Sequence, residues 1–329
     1  MLSQEINEKS ILITGGTGSF GKQCVKHLLN TYNPKRLIIF SRDELKQFEM
    51  AQEYSPATYN CLRYFIGDVR DKERLTRAFQ DVDIVIHAAA MKQVPAAEYN
   101  PFEAVKTNVI GAQNVINVAI DQKVKRVIAL STDKAANPIN LYGATKLCAD
   151  KLFIAGNTYG QECTNFSIVR YGNVIGSRGS VISTFQKQKE TGFLTVTDPR
   201  MTRFWISLEQ AVDFVMKCLH NMVGGEIFVP KIPSMNIMDL ARVIGSECRV
   251  EYVGIRPGEK LHEVMVPMDN ARDTLEFDDY YMIKPSFRFF ERRFCEEGCR
   301  PVPEDFEYSS GNNTIWLSVE ELAGLVKKL

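Results

Sequence analysis

The stretch from residue 10 to residue 29 admits few folds. Ser10-Ile11-Leu12-Ile13-Thr14 is a short apolar run of strand length that empties into Gly15-Gly16-Thr17-Gly18-Ser19-Phe20-Gly21, and Lys22 to Leu29 then carries a helical pattern. A strand joined to a helix by a glycine-rich turn is the opening unit of a nucleotide-binding sheet. Its glycines permit a tight turn and close backbone approach, and its helix N-terminus aims free N–H groups at a pyrophosphate. Glycines 15, 18 and 21 follow G-x-x-G-x-x-G rather than G-x-G-x-x-G spacing, which meets the same physical need.

The alternation continues. Arg36–Phe40, Arg63–Ile66, Asp83–His87, Arg126–Leu130 and Asn165–Arg170 read as further strands, separated by amphipathic stretches such as Lys72–Phe79 and Pro101–Ile120. This order predicts an α/β fold: a Rossmann-type doubly wound parallel sheet with helices on both faces. Past residue 175 the rhythm breaks into loops, a helix near Leu208–Leu219, a strand at Glu226–Val229 and a mixed region. The expected organisation is a cofactor-binding Rossmann domain over 1–175, rejoined by a segment near 204–230, and a smaller, mainly substrate-binding region over 176–329.

Charge and cysteine usage narrow the partners. The 329 residues carry 40 basic and 40 acidic side chains, so no bulk field favours nucleic acid or a membrane surface. No apolar run approaches membrane-span length and no signal-peptide pattern opens the chain, which points to the cytoplasm. The eight cysteines are scattered, with Cys295 and Cys299 a lone pair, and the four histidines form no ligand pattern. Reduced thiols and no metal are expected.

Two constellations carry chemistry. Tyr142 and Lys146 stand four apart, one above the other on a helix face, so an ammonium can sit beside the phenol and favour phenolate. Tyr142 then becomes a base for a sugar hydroxyl. Ser131-Thr132-Asp133-Lys134 follows the apolar run Val127–Leu130, at a strand end where open α/β sheets place their sites. Hydride chemistry needs the first pair; the adjacent acid and amine point to a second reaction on the same substrate.

The cofactor is read from the end of the second strand. Ser41, Arg42 and Lys46 make a clamp for a 2′-phosphate and favour NADP; Asp43 leaves NAD open, because a shift of register makes it a ribose acid. Glu44 and Leu45 lie within the same stretch. Asp68 and Val69 are placed for adenine, Ala88 to Ala90 leave room for the cofactor, and Lys92 reaches the nicotinamide side or the substrate.

These residues together resemble the extended short-chain dehydrogenase/reductase family over nearly the whole chain, and within it the soluble, inverting UDP-N-acetylglucosamine 4,6-dehydratases that open pseudaminic acid synthesis for flagellin glycosylation. The resemblance rests on residues 11–21, 41–46 and 130–146, on Arg170-Tyr-Gly-Asn-Val-Ile-Gly-Ser-Arg-Gly-Ser180, on Arg200-Met-Thr-Arg-Phe-Trp205 and on Gly254-Ile-Arg-Pro-Gly-Glu-Lys-Leu-His-Glu263. Retaining dehydratases of the wider family carry Thr-Asp-Glu where this chain has Thr132-Asp133-Lys134, and the lysine marks the inverting branch.

The resemblance implies a tightly bound NADP, regenerated each turnover and held by Gly15, Thr17, Gly18, Ser19, Phe20 and Gly21, by residues 41–46, and by Asp68, Val69, Ala88, Lys92, Tyr142, Lys146 and Val174. It implies C4 oxidation with Tyr142 as base and Thr132 on O4, then elimination with Lys134 as C5 base and Asp133 as acid for O6. Hydride return to C6 and reprotonation of C5 from the other face complete the cycle. This asks for a neutral Lys134 and a protonated Asp133. The resemblance also carries Lys92, Asn173, Arg178, Gly179, Ser180, Val181, Ile182, Arg203 and Arg256 onto the UDP-sugar, and implies a homo-oligomer, a hexamer among the options. The rivals are a retaining 4,6-dehydratase or C4 epimerase on another nucleotide sugar, and a non-catalytic dinucleotide sensor.

Overall fold

All five residues of β1 (Ser10–Thr14) are buried, as a strand covered on both faces must be, which is why its sequence runs apolar without alternation. The computed structural model describes residues 5–160, 163–176, 181–287, 290, 294 and 296–327. In it β2 (Arg36–Ser41) pairs with β1, and β3 (Leu62–Ile66) with β2; on the other side follow β4 (Ile84–His87), β5 (Arg126–Thr132) and β6 (Asn165–Tyr171). The order β3-β2-β1-β4-β5-β6 is parallel throughout. Connections reverse direction between β1 and β4, so the crevice beyond their carboxyl ends is the natural ligand position. The strands expected between Ser10 and Val229 are all present, shifted by no more than two residues at either end.

The mixed C-terminal region sorts into two destinations. After the short strands β7 (Asn173–Val174), β8 (Phe193–Val196) and β9 (Thr202–Ile206), β10 (Ile227–Pro230) joins β6 in parallel. The next strands in the chain are β11 (Ser234–Asn236), β12 (Arg249–Tyr252), β13 (Val264–Val266), β14 (Thr274–Glu276), β15 (Tyr280–Ile283), β16 (Arg300–Pro301) and β17 (Tyr308–Ser309). Of these, β15, β14 and β16 extend the main sheet antiparallel beyond β10. A second hydrophobic cluster, including Ile182, Phe185, Trp205, Leu240 and Leu322, packs under the helices Val181–Lys189, Ile237–Gly245 and Val319–Val326. Residue 175 therefore marks where the second cluster begins. It does not mark the end of the sheet, because residues such as Met265, Tyr281 and Tyr308 belong to the main core.

The stretch Pro101–Ile120 is not one regular helix. Pro101–Val105 and Gly111–Asp121 flank a π-helical turn, Lys106–Ile110. The widened turn presents buried Asn108, whose Oδ1 accepts from the Met91 amide at 2.8 Å while Nδ2 donates to the Met91 carbonyl at 2.9 Å and Thr145 Oγ1 at 3.0 Å. A π turn that aims one polar side chain inward is a common device beside active sites. Here it fastens the segment after β4 to the Leu141–Tyr159 helix, which carries Tyr142 and Lys146.

Candidate active site

At the end of β1, Gly15 takes φ 66°, and a Cβ there would lie 2.9 Å from the Ala89 amide nitrogen. A Cβ on Gly21 would stand 2.5 Å from the Gly16 carbonyl oxygen, so this glycine seats the Ser19–Thr31 helix against the turn. Gly18 is the N-cap, and no side chain caps the helix. Its first N–H groups are therefore left for a ligand, and a Cβ on Gly18 would meet only the Gly15 carbonyl. A cradle built from bare backbone at a helix N-terminus fits a dinucleotide pyrophosphate.

At the ribose end, Thr17 Oγ1 and Ser41 Oγ are 2.8 Å apart, joining the turn to β2. Asp43 caps the Glu44–Glu53 helix, accepting from the Lys46 amide at 3.0 Å and pairing with the Lys46 ammonium. Arg42 is 68% exposed, and Asp68 approaches it only to 3.9 Å. Asp68 itself is gripped by Arg70 at 2.8 Å; burial pushes its carboxyl up, and the Arg70 hydrogen bonds outweigh that and hold it below the usual range. Leu45 is exposed, whereas Val69 is buried in the main core, so any ligand contact at Val69 runs through its backbone. Phe20, Ala88 and Val174 pack against the edge of that core.

The chemistry-bearing residues converge beyond β5. Thr132 Oγ1 donates to Asp133 Oδ1 at 2.8 Å and hydrogen-bonds the Tyr142 hydroxyl. Lys134 Nζ lies 3.2 Å from Asp133 Oδ1 and 3.1 Å from Oε1 of Glu263. Asp133 and Glu263 are 1% and 3% exposed, and Asp133 Oδ2 and Glu263 Oε2 are buried without hydrogen-bond partners. Burial, reinforced by Glu263, pushes the Asp133 carboxyl up against the pull of Lys134. Burial works against the Lys134 ammonium, but the two carboxylates outweigh it and hold the amine above the ordinary lysine range. Glu263, which spacing in the sequence does not bring here, stands beside the amine as a second carboxylate.

Burial pushes the Tyr142 phenol up to about 12, with Lys134 and the Thr132 hydrogen bond pulling it down. Lys146 donates to the Leu130 carbonyl at 2.8 Å, and burial lowers its own pKa against the pull of Asp150. Lys92, at the same site, is lowered by burial and then by Lys134.

Below this cluster, Ser131 Oγ donates to Asp150 Oδ2 at 2.8 Å, and Arg170 bridges Asp150 at 3.2 Å and the Met265 carbonyl at 3.0 Å. On the substrate side, Asn173 Oδ1 is buried without a partner. Arg203 donates to the carbonyls of Thr202, Leu261 and Lys260 at 2.7, 3.1 and 3.0 Å and stands 3.8 Å from Glu263. It braces this loop as much as it faces a ligand. Arg256 is 63% exposed beside Glu259. The Ile182 side chain packs in the second cluster; Val181 starts the same helix, partly buried. Arg178, Gly179 and Ser180 lie outside the described residues. Among the described residues, no group of His, Cys, Asp and Glu could hold a metal, and no helix is long and apolar enough to cross a membrane.

A doubly wound sheet, a glycine cradle on its first strand and a Tyr–Lys helix beside its fifth define an enzyme of the short-chain dehydrogenase/reductase type. A family model described as "polysaccharide biosynthesis protein" matches residues 11–285, and the chain belongs to that family. It is 56% identical to the inverting UDP-N-acetylglucosamine 4,6-dehydratase of Campylobacter jejuni, over 97% of this chain and 98% of that one. It is 41% identical to a UDP-glucose 4-epimerase of Rickettsia akari, over 98% of this chain and 96% of that one. The solved structure of Pen from Bacillus thuringiensis, 38% identical, superposes with a TM-score of 0.89 and covers 98% of both chains.

Proposed function

We infer that the protein is a C5-inverting UDP-N-acetylglucosamine 4,6-dehydratase, a nucleotide-sugar hydro-lyase yielding UDP-2-acetamido-2,6-dideoxy-β-L-arabino-hexos-4-ulose. The observation that carries this reading is the buried Asp133–Lys134 pair beside Tyr142, in a chain 56% identical to an inverting dehydratase. C4 epimerisation needs no such acid and amine, so the 41% likeness to an epimerase is shared scaffold rather than shared outcome.

Gly15 to Gly21 would hold the pyrophosphate of NADP and Ser41 and Arg42 its 2′-phosphate, and the bound dinucleotide would supply hydride transfer from C4 and back to C6. Tyr142, oriented through Thr132, takes the O4 proton as the C4 ketone forms. The ketone acidifies C5–H, and the unprotonated form of Lys134, a minor form in the resting cluster, removes that proton as an enolate develops at O4. Asp133, kept protonated by burial, gives its proton to O6, and the C6–O6 bond breaks with loss of water. A solvent-derived proton delivered to C5 from the opposite face inverts the centre, one of the protons left on Tyr142 and Lys134 restores Asp133, and the other returns to solvent. Asn173, Arg203 and Arg256 supply polar contacts to the nucleotide.

Proton NMR of UDP-N-acetylglucosamine incubated with the protein in D₂O is expected to show loss of one water, deuterium at C5 and the L-arabino 4-keto pattern. A D-xylo product would move the assignment to a retaining enzyme, and an epimerised or unchanged sugar would reject dehydration. Arg42→Ala is expected to weaken NADP binding ~10-fold or more, the worth of a lost charge-assisted hydrogen bond, while leaving NAD binding nearly unchanged. Equal losses for both dinucleotides in a titration would remove Arg42 from 2′-phosphate recognition, since Asp43 is already occupied as a helix cap.

A further inference from the structure

Lys134 is held by two carboxylates, and the dehydratase reading uses only one of them. Glu263 Oε1 is at 3.1 Å from Nζ, slightly nearer than Asp133 Oδ1 at 3.2 Å. The Glu263 backbone is fastened on both sides. Its amide donates to Ser310 Oγ at 2.9 Å, the Ser310 amide donates to its carbonyl at 2.7 Å, and the adjoining β13 pairs with β17. Arg170 secures the Met265 carbonyl two residues on. A carboxylate this buried, on backbone this firmly held, with one oxygen committed to Lys134 and the other bare, is built to serve that ammonium.

We propose that Glu263 is the positioning residue for Lys134, fixing Nζ for attack on C5–H and stabilising the ammonium that forms there. The proposal rests on the dehydratase reading above. As C5–H breaks, the proton and a full positive charge arrive on a partly buried amine while the electron pair passes to C5 and O4. A fixed anion beside the amine lowers the energy of that charge separation without any reorganisation. Asp133 cannot serve this purpose as well, because it must be uncharged to protonate O6.

The same charge acts on the titration of the whole cluster. Glu263 faces Lys134, Arg203 and Lys260; Lys134 is also faced by Asp133, Arg203, Tyr142 and Lys92. A negative charge raises the pKa of an amine and of a carboxyl alike. Removing it should therefore move both limbs of the bell-shaped pH profile in the same direction, the limbs being properties of the coupled cluster rather than of single residues.

The test is the pH dependence of deuterium incorporation at C5 and of 4-keto product formation in wild type, Glu263→Gln and Glu263→Asp. The expected result for Glu263→Gln is a maximal rate ~10- to 100-fold lower with both limbs displaced by about one pH unit or more to lower pH. Glu263→Asp should bring the limbs back towards wild type. A lower maximum with limbs unmoved, or an unchanged profile, would overturn the proposal. Thermal unfolding supplies an activity-free arm: Glu263→Gln should cost clearly less stability in a Lys134→Met background than in wild type, and equal costs would also overturn it. Wild-type protein that forms no product would reject the dehydratase reading itself, an outcome distinct from a wild type that turns over beside limbs that do not move.

Discussion

Lys134→Met is expected to lower formation of the 4-keto product by ~10³-fold, within the range that removal of a positioned proton-transfer group costs. Methionine keeps an unbranched side chain of similar length, so the change removes the amine without opening a large void. It strands two buried carboxylates, Asp133 and Glu263, with Arg203 at 3.8 Å from Glu263 and Lys260 also facing it. Two such groups share a proton rather than both ionise, and the protonated member is Asp133, which burial already pushes up. The fold should therefore survive, and UDP affinity, set by residues away from the amine, should stay within a few-fold. Product assay by NMR alongside a calorimetric titration of UDP separates the two quantities. Turnover within ~10-fold of wild type would remove Lys134 from the C5 proton transfer.

The second large effect is on stability. Asp150→Ala should destabilise the protein by about 3–5 kcal/mol, the cost of leaving a buried charge without its partner. Asp150 and Arg170 are each 3% exposed and 3.2 Å apart, so the substitution leaves the guanidinium without its anion. Ser131 Oγ loses its acceptor in the same step. The midpoint and slope of urea unfolding measure this directly. A loss under ~1 kcal/mol would mean that Arg170 finds another anion or reaches solvent, and that the bridge is not a buried one in solution.

Much of the architecture could be read in advance because parallel strands buried on both faces must be apolar throughout. Ile11-Leu12-Ile13 and Val127-Ile128-Ala129-Leu130 leave no other comfortable assignment. The antiparallel extension was not legible for the opposite reason. Thr274–Glu276 and Tyr280–Ile283 are short, carry no helix between them, and gain strand character only from β10 alongside. The acid–base cluster divides similarly. Thr132, Asp133, Lys134 and Tyr142 are close in sequence, so helix and strand geometry bring them to one end of the sheet. Glu263 arrives through the β13–β17 pairing, which no local pattern encodes; the one signal was its place at the end of the Gly254–Glu263 stretch. Lys146 adds a contact that spacing does not encode: besides sharing a helix face with Tyr142, its ammonium donates to the Leu130 carbonyl.

Ser310, close to the end of the chain, holds Glu263 by two main-chain and side-chain contacts and also meets Thr202 at 2.8 Å. The segment after β17 is in this way part of the scaffolding of the candidate site. Evolutionary drift there is not silent: an insertion between β13 and β17, or a change in the bend at residues 309–313, would be transmitted through Glu263 to the Lys134 ammonium. A lineage could retune this cluster through edits far along the chain from it, leaving the nucleotide cradle and the Tyr–Lys helix untouched.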